Sequence, residues 1–375
     1  MADFDSVIRY MDGVMTSSLR TGNDHNLSLS LGHTAYSLLL LNRYDEARLA
    51  AEETDREARK TGDRPHEITM LGFVLPLIDI RDGDLDQALA TAGEGLHLAQ
   101  RIGALEGIAD ASYVRGEVLR LEGRYEEALI EGQRSLEAAS PLENFMPFYL
   151  VHSLSLLGSI YLEMSDLFSD RVAQLHGHAL RLMENPVGAM GGGIGWADLG
   201  WCALTLGDRE LATELFGKGL NYPTMMMNTE RPRYLAGSAV LHSLRGEHED
   251  AKRVAVEAIR YTEEYKLRHQ VPLVRNSYGR VLAATGAHAA ALTGFTAAAV
   301  EAEAMHMLPI LWQARARAAA EAPALGRQSD SVHYLSAAHD AVAAIAGQFR
   351  DADLRDAFLA RVERELSTIL LPARG

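Results

Sequence analysis

The sequence predicts an all-α fold, a right-handed superhelical solenoid of stacked helical hairpins, from three observations. An alanine recurs at near-constant period, at 47, 88, 128, 212, 251 and 291. The gap from 128 to 212 is 84, two periods of 42, and the others are 39 to 41. Five positions before each alanine stands a turn residue, Asn42, Gly83, Gly123, Gly207, Gly246 or Gly286. Seven positions before the turn stands a small residue, Ala35, Gly116, Gly158, Gly200, Ala239 or Gly279. The missing copy lies near Ser165-Asp166-Leu167, where the pattern is worn and Asp170 takes the alanine slot.

Each feature has a physical reason. The turn glycine ends a helix in the left-handed conformation that side chains resist. Acidic residues such as Glu126 and Glu127 then open the next helix, complementing its positive dipole end. The alanine and the earlier small residue let the two helices of a hairpin approach closely. Pro76 breaks the rule by occupying the small slot of the second repeat, and it predicts a kink there. In order, a first helix over 3–20 leads to repeats at 27–61, 65–102, 105–140, 145–184, 187–221, 225–267 and 269–306. An eighth hairpin over 308–349 and an end helix over 351–371 follow. Pro65, Pro147, Pro232, Pro272 and Pro309 fall near starts of first helices, where a missing N–H costs little. With no linker or low-complexity stretch, 1–375 reads as one solenoid.

Composition narrows the function. The chain carries 51 acidic and 36 basic residues, a formal charge of −15. That balance argues against binding nucleic acid or an anionic membrane, both of which need a basic field. The lone Cys202 forms no intramolecular disulfide, in keeping with a reducing compartment. No apolar run approaches the roughly 18 residues of a membrane span, and Asp3 and Asp5 stand where a signal peptide would be basic. A cytoplasmic location is expected.

The motif residues carry a resemblance. Gly116, Gly123, Tyr125 and Ala128, with Trp196, Gly200, Gly207 and Ala212 as a second copy, resemble the tetratricopeptide repeat family. The resemblance covers roughly 28 to 300 and, more loosely, to about 349. The period exceeds the family's common repeat of about 34 residues. It is similar to the longer-helix variety in the sensor regions of bacterial ATPase-type transcription regulators and adenylyl cyclase-like proteins. The stretch Ala352 to Leu359 resembles the terminal helix of those regions. Their Walker-type loop, cyclase domain and helix-turn-helix module have no counterpart in the sequence, so the activities of those domains are not carried over.

The resemblance implies first helices on a concave wall. Its inner-wall positions lie six and three before, and one after, the small residue. They are Met70, Phe73 and Leu77; Asp110, Tyr113 and Glu117; His152, Ser155 and Ser159; Ile194, Ala197 and Trp201; Arg233, Ala236 and Val240; Leu273, Asn276 and Arg280. The candidate binding residues are Met70, Phe73, Asp110, Tyr113, Glu117, His152, Trp201, Arg233, Asn276 and Arg280. Many of these positions equally serve contacts between repeats.

Other patterns read as structure. Gly191-Gly192-Gly193-Ile194-Gly195 lacks the strand, spacing and lysine of a phosphate loop, and with the worn turn it marks 165–195 as a hinge. His176 and His178 point to different sides of a helix and read as surface residues rather than metal ligands. Met225-Met226-Met227 reads as helix start and packing, or as an adaptable apolar lip that His306 to Trp312 extends. The tail Leu366 to Leu371 caps the last repeat or docks on a second copy, which leaves oligomeric state open. The expected function is an adaptor or regulatory sensor holding a protein or peptide in its groove. The alternative is a switch responding to a small molecule or signalling peptide. An enzyme is less favoured, since no nucleophile, acid, base or metal set stands at interpretable spacing. No cofactor or metal is expected.

Overall fold

The computed structural model describes residues 4–221 and 228–370, and every regular element among them is helical. Helix α1 (Phe4–Thr21) precedes the hairpins α2/α3 (Asp24–Leu40, Tyr44–Thr61) and α4–α5/α6 (Arg64–Thr69 and Leu75–Asp82, Leu85–Ile102). Next come α7/α8 (Leu105–Glu122, Tyr125–Ala139), α9/α10 (Pro147–Met164, Ser169–Met183) and α11/α12 (Gly192–Thr205, Arg209–Asn221). The series closes with α13/α14 (Arg231–Leu244, His248–Glu264), α15/α16 (Val271–Ala284, His288–Ala304), α17/α18 (Leu308–Glu321, Gln328–Ala346) and α19 (Ala352–Leu370). Met225-Met226-Met227 lies outside the described residues.

The turns follow the motif. Gly123 has φ 78°, and the N–H groups of Gly123 and Arg124 return to the carbonyls of Arg120 (3.0 Å) and Leu119 (2.8 Å). Those bonds satisfy carbonyls that a helix end leaves orphaned. Asn42 takes the same left-handed conformation at φ 59° in the first turn, which asparagine tolerates better than most residues. The worn fourth turn is built differently. Ser165 is extended at φ −168°, and its hydroxyl accepts the N–H of Leu167 at 3.2 Å.

The small slots receive specific side chains. A Cβ on Gly200 would lie 2.5 Å from the Phe216 ring, and one on Gly279 2.5 Å from the Phe295 ring. Gly158 receives His176 in the same way, with 2.1 Å to Nε2. His176 is therefore no surface residue: it is packed against α9, and burial pushes its pKa down to about 4. In the glycine cluster, Gly191 lies against the Phe148 backbone and Gly195 against Val151. Those glycines let the start of α11 approach α9.

The helix carrying Pro76 departs from regular α geometry. Met70–Val74 form a π-turn between α4 and α5, with the Leu75 N–H reaching the Met70 carbonyl. A five-residue loop absorbs the proline where the regular ladder cannot.

The superhelix closes on itself. Turns of the first four hairpins meet the last helices one superhelical turn on. Asn42 donates to Tyr261 (3.4 Å), and Lys266 pairs with Asp45 at 3.5 Å. Gly83 abuts Met305, and Gly123 abuts Ile345. Tyr125 packs between Phe349 and Phe358, with centroids 6.3 and 5.9 Å away. The Glu126 carboxylate accepts the N–H groups of Arg350 (3.0 Å) and Asp351 (2.7 Å), and Arg364 pairs with Asp166 at 2.5 Å. One hydrophobic core consequently runs from Ala35 to Leu366.

Candidate functional site

Closure turns the concave trough into a cavity of about 660 Å³. Its walls are first helices, α7 through α17 in alternation, with the turns of the early hairpins at one end. Helix α19 crosses the trough and contributes Arg361, Arg364, Glu365 and Thr368. Apolar and aromatic groups, among them Tyr113, Ile194, Trp201 and Trp312, alternate with charged ones. That mixture, at this volume, is the usual character of ligand pockets.

A buried ionic network occupies the middle. Arg120 makes a two-pronged contact to Glu117 at 2.6 and 2.9 Å and also binds Glu163. Arg233 bridges Asp198 (2.5 Å) and Glu230 (2.7 Å), and Trp201 Nε1 donates to the Arg233 carbonyl at 3.2 Å. Burial pushes the Asp198, Glu163 and Glu230 carboxyls up, against the pull of the arginines. Burial opposes the charge on Glu117 too, yet Arg120 and Arg233 outweigh it and hold the group down. Removing one member of such a network strands a buried charge, at a cost of about 3–5 kcal/mol.

Among the described residues, these polar atoms of cavity-lining side chains have no protein partner: His269 Nδ1, Gln270 Oε1, Asn276 Oδ1, Ser277 Oγ and Arg317 Nε. Each such atom costs about 1–3 kcal/mol unless something else bonds to it. Burial pushes His269 down to about 4, so it is neutral at physiological pH. Burial and Asp198 push the Cys202 thiol up to about 12. As a thiol it is a poor nucleophile.

Of the candidate residues, Tyr113, Glu117, Trp201, Arg233, Asn276 and Arg280 line the cavity. Met70, Phe73, Asp110 and His152 do not. Met70 and Phe73 are sunk in the core, and Phe73 stacks on Tyr36 at 6.4 Å. The π-turn adds a residue to their turn of helix and so rotates the preceding side chains off the inner wall, while Leu77 beyond it stays on the wall. His152 packs on Tyr113 at 5.2 Å, and Asp110 is half-buried near Tyr36 and Tyr149, where the early hairpins converge. Carrying the positional rule into the eighth hairpin, with Gly326 as its turn, would have found Gln313. Nothing periodic marks Arg317 or the α19 residues, which reach the cavity only through closure.

Among the described residues, no group of His, Cys, Asp and Glu side chains is placed to hold a metal ion, and no helix is long and apolar enough to cross a membrane.

The fold is that of the tetratricopeptide repeat proteins. No family model and no curated protein matches the chain. Among solved structures it is similar to a Rap protein complexed with competence and sporulation factor, at a TM-score of 0.60 and 12% identity. That match covers 86% of this chain and 99% of the Rap chain. Two others are similar at lower scores. A tetratricopeptide repeat protein from Parabacteroides merdae reaches TM-score 0.40 at 16% identity, over 83% of this chain and 100% of its own. Yeast Tom70 reaches 0.43 at 11% identity, over 96% of this chain and 89% of its own.

Proposed function

We propose that this protein is a regulatory binding module that encloses a short extended segment of a peptide or partner protein in its central cavity. The observation carrying this reading is the cavity itself, about 660 Å³ and walled by successive first helices. Its partnerless polar atoms match what an extended backbone offers, alternating donors and acceptors. Its tyrosine and tryptophan walls supply the rigid apolar contacts that carry binding energy. The Rap protein of similar fold was solved with competence and sporulation factor bound, which is in keeping with a sensor role.

The test is native mass spectrometry of the full chain after incubation with a pool of random hexapeptides. We expect retained peptides, with retention reduced at least tenfold in Trp201→Ala, a loss of about 1.4 kcal/mol or more in binding. Equal retention by the variant, or none by the parent chain, contradicts the reading.

A switch responding to a signalling peptide or small molecule is the second reading, and closure favours it. A ligand touching both α19 and the early hairpins binds only the closed form, so it must shift the population toward closure. Small-angle scattering decides: a bound ligand that leaves the radius of gyration unchanged supports a passive adaptor instead.

A further inference from the structure

We propose that Arg280 and Arg317 form an oxyanion subsite in the cavity, taking a carboxylate or phosphate group carried by the ligand. The inference rests on the cavity being a binding site and adds the chemistry of one end of it.

The two arginines stand on adjacent first helices, α15 and α17, which pack together, and both line the cavity. Every other arginine on its wall is engaged: Arg120 by Glu117, Arg233 by Asp198, Arg361 by Glu365 at 3.3 Å and Arg364 by Asp166. Among the described residues, neither Arg280 nor Arg317 makes an ion pair, and Arg317 Nε has no hydrogen-bond partner. Two carboxylates are near and both are committed elsewhere. Glu365 acts on both guanidinium groups from beyond pairing distance while bound to Arg361. Glu321 lines the small adjoining pocket of about 200 Å³ and is bonded to His288 at 2.7 Å.

Beside the pair, the cavity wall carries Asn276 and Ser277, 3% and 1% exposed, each with a side-chain oxygen that has no protein partner. The Ser277 hydroxyl is free to donate, and the Asn276 amide supplies further donors. Trp312 forms an apolar flank.

Two confined guanidinium groups that no described carboxylate pairs with repel each other and are poorly solvated. Burial, and then Arg317, push the Arg280 pKa down to about 9, which still leaves it charged at neutral pH. A group with two or more anionic oxygens converts that repulsion into forked, charge-assisted bonds, the geometry guanidinium fits best.

The test is thermal unfolding of the full chain in sodium phosphate and in sodium acetate, each against sodium chloride of matched ionic strength. We expect phosphate, acetate or both to raise the midpoint by about 2–4 °C at concentrations well above the dissociation constant. Which anion acts tells a phosphate ligand from a carboxylate one. The rise is expected to vanish in Arg280→Met and Arg317→Met. Should either methionine variant fail to fold, Arg280→Lys and Arg317→Lys keep the charge without the fork and are expected to lose at least half of it. No rise in the parent chain, or a rise of the same size in the variants, overturns the subsite. Hexapeptide retention separates the two claims. Unchanged retention in the methionine variants leaves the binding cavity standing and removes the subsite. Absent retention with an intact anion effect removes the peptide reading and keeps the subsite.

Discussion

Single residues here answer to their partners rather than to their type. Asp110 is half-buried beside Tyr36 and Tyr149, and desolvation, reinforced by Glu106, pushes its carboxyl well above the usual range. Its folded form therefore keeps a proton that the unfolded chain releases near pH 4, so folding stability falls as pH rises above that point. Asp110→Asn removes this slope: in urea unfolding, its stability relative to the parent chain should improve as the pH rises from 5 to 8. A glycine of the small slot is just as position-bound. Gly279→Ala sets a methyl 2.5 Å from the Phe295 ring, inside a packed interface. A cost of about 1–3 kcal/mol is expected, read from the urea midpoint at unchanged m-value. A neutral result would mean that α15 and α16 part without penalty.

At the scale of elements, the hairpin is a local device and α19 is not. Most hairpins combine an αL turn, an acidic helix start and a small slot, all within one period. Phe216 inserts between Gly200 of its own hairpin and Gly237 of the next, which shows the reach of such contacts. Helix α19 gains its place from partners some 200 residues away, through Phe358 against Tyr125 and Arg361 donating to the Glu163 carbonyl at 2.7 Å. Phe358 is fully buried. Phe358→Ala should cost about 3–5 kcal/mol, measured by chemical denaturation, and should also increase hydrogen exchange in α8 and at Glu163. Confinement of the exchange increase to α18 and α19 would show that the closing contacts contribute little.

For the whole molecule, the decisive event is closure. A repeat array is held by nearest-neighbour contacts, and its overall curvature follows from small rotations that add up along it. Here the sum brings the fourth turn, whose Ser165-Asp166 departs from the motif, under Arg364. The Glu126 carboxylate likewise caps backbone N–H groups ahead of α19. Glu126→Ala combined with Arg364→Ala should loosen this latch without touching a hairpin core. Small-angle scattering is expected to show a larger radius of gyration with helical circular dichroism unchanged. An identical scattering profile would place closure in the apolar contacts alone.

Much of the fold was legible because its signals are local: the αL turn, the helix-start charges and the small slot repeat within about 40 residues of each other. Part of the site was legible for the same reason, since Tyr113, Glu117, Trp201, Arg233, Asn276 and Arg280 occupy periodic positions on first helices. Met70 and Phe73 escaped the rule because one π-turn rotates a helix face, an offset that the spacing of letters does not record. His176 was misplaced because its burial depends on a neighbouring helix supplying Gly158.

The sequence by itself determined that helices form, where they turn and that they stack in series, since each of those outcomes depends on contacts within one or two repeats. Only the tertiary structure decided that the trough is shut, that α19 crosses it and that Arg317 comes to stand beside Arg280, neither in an ion pair among the described residues. Those outcomes depend on the accumulated rotation of eight hairpins, to which every interface contributes a little and no single motif contributes enough to read.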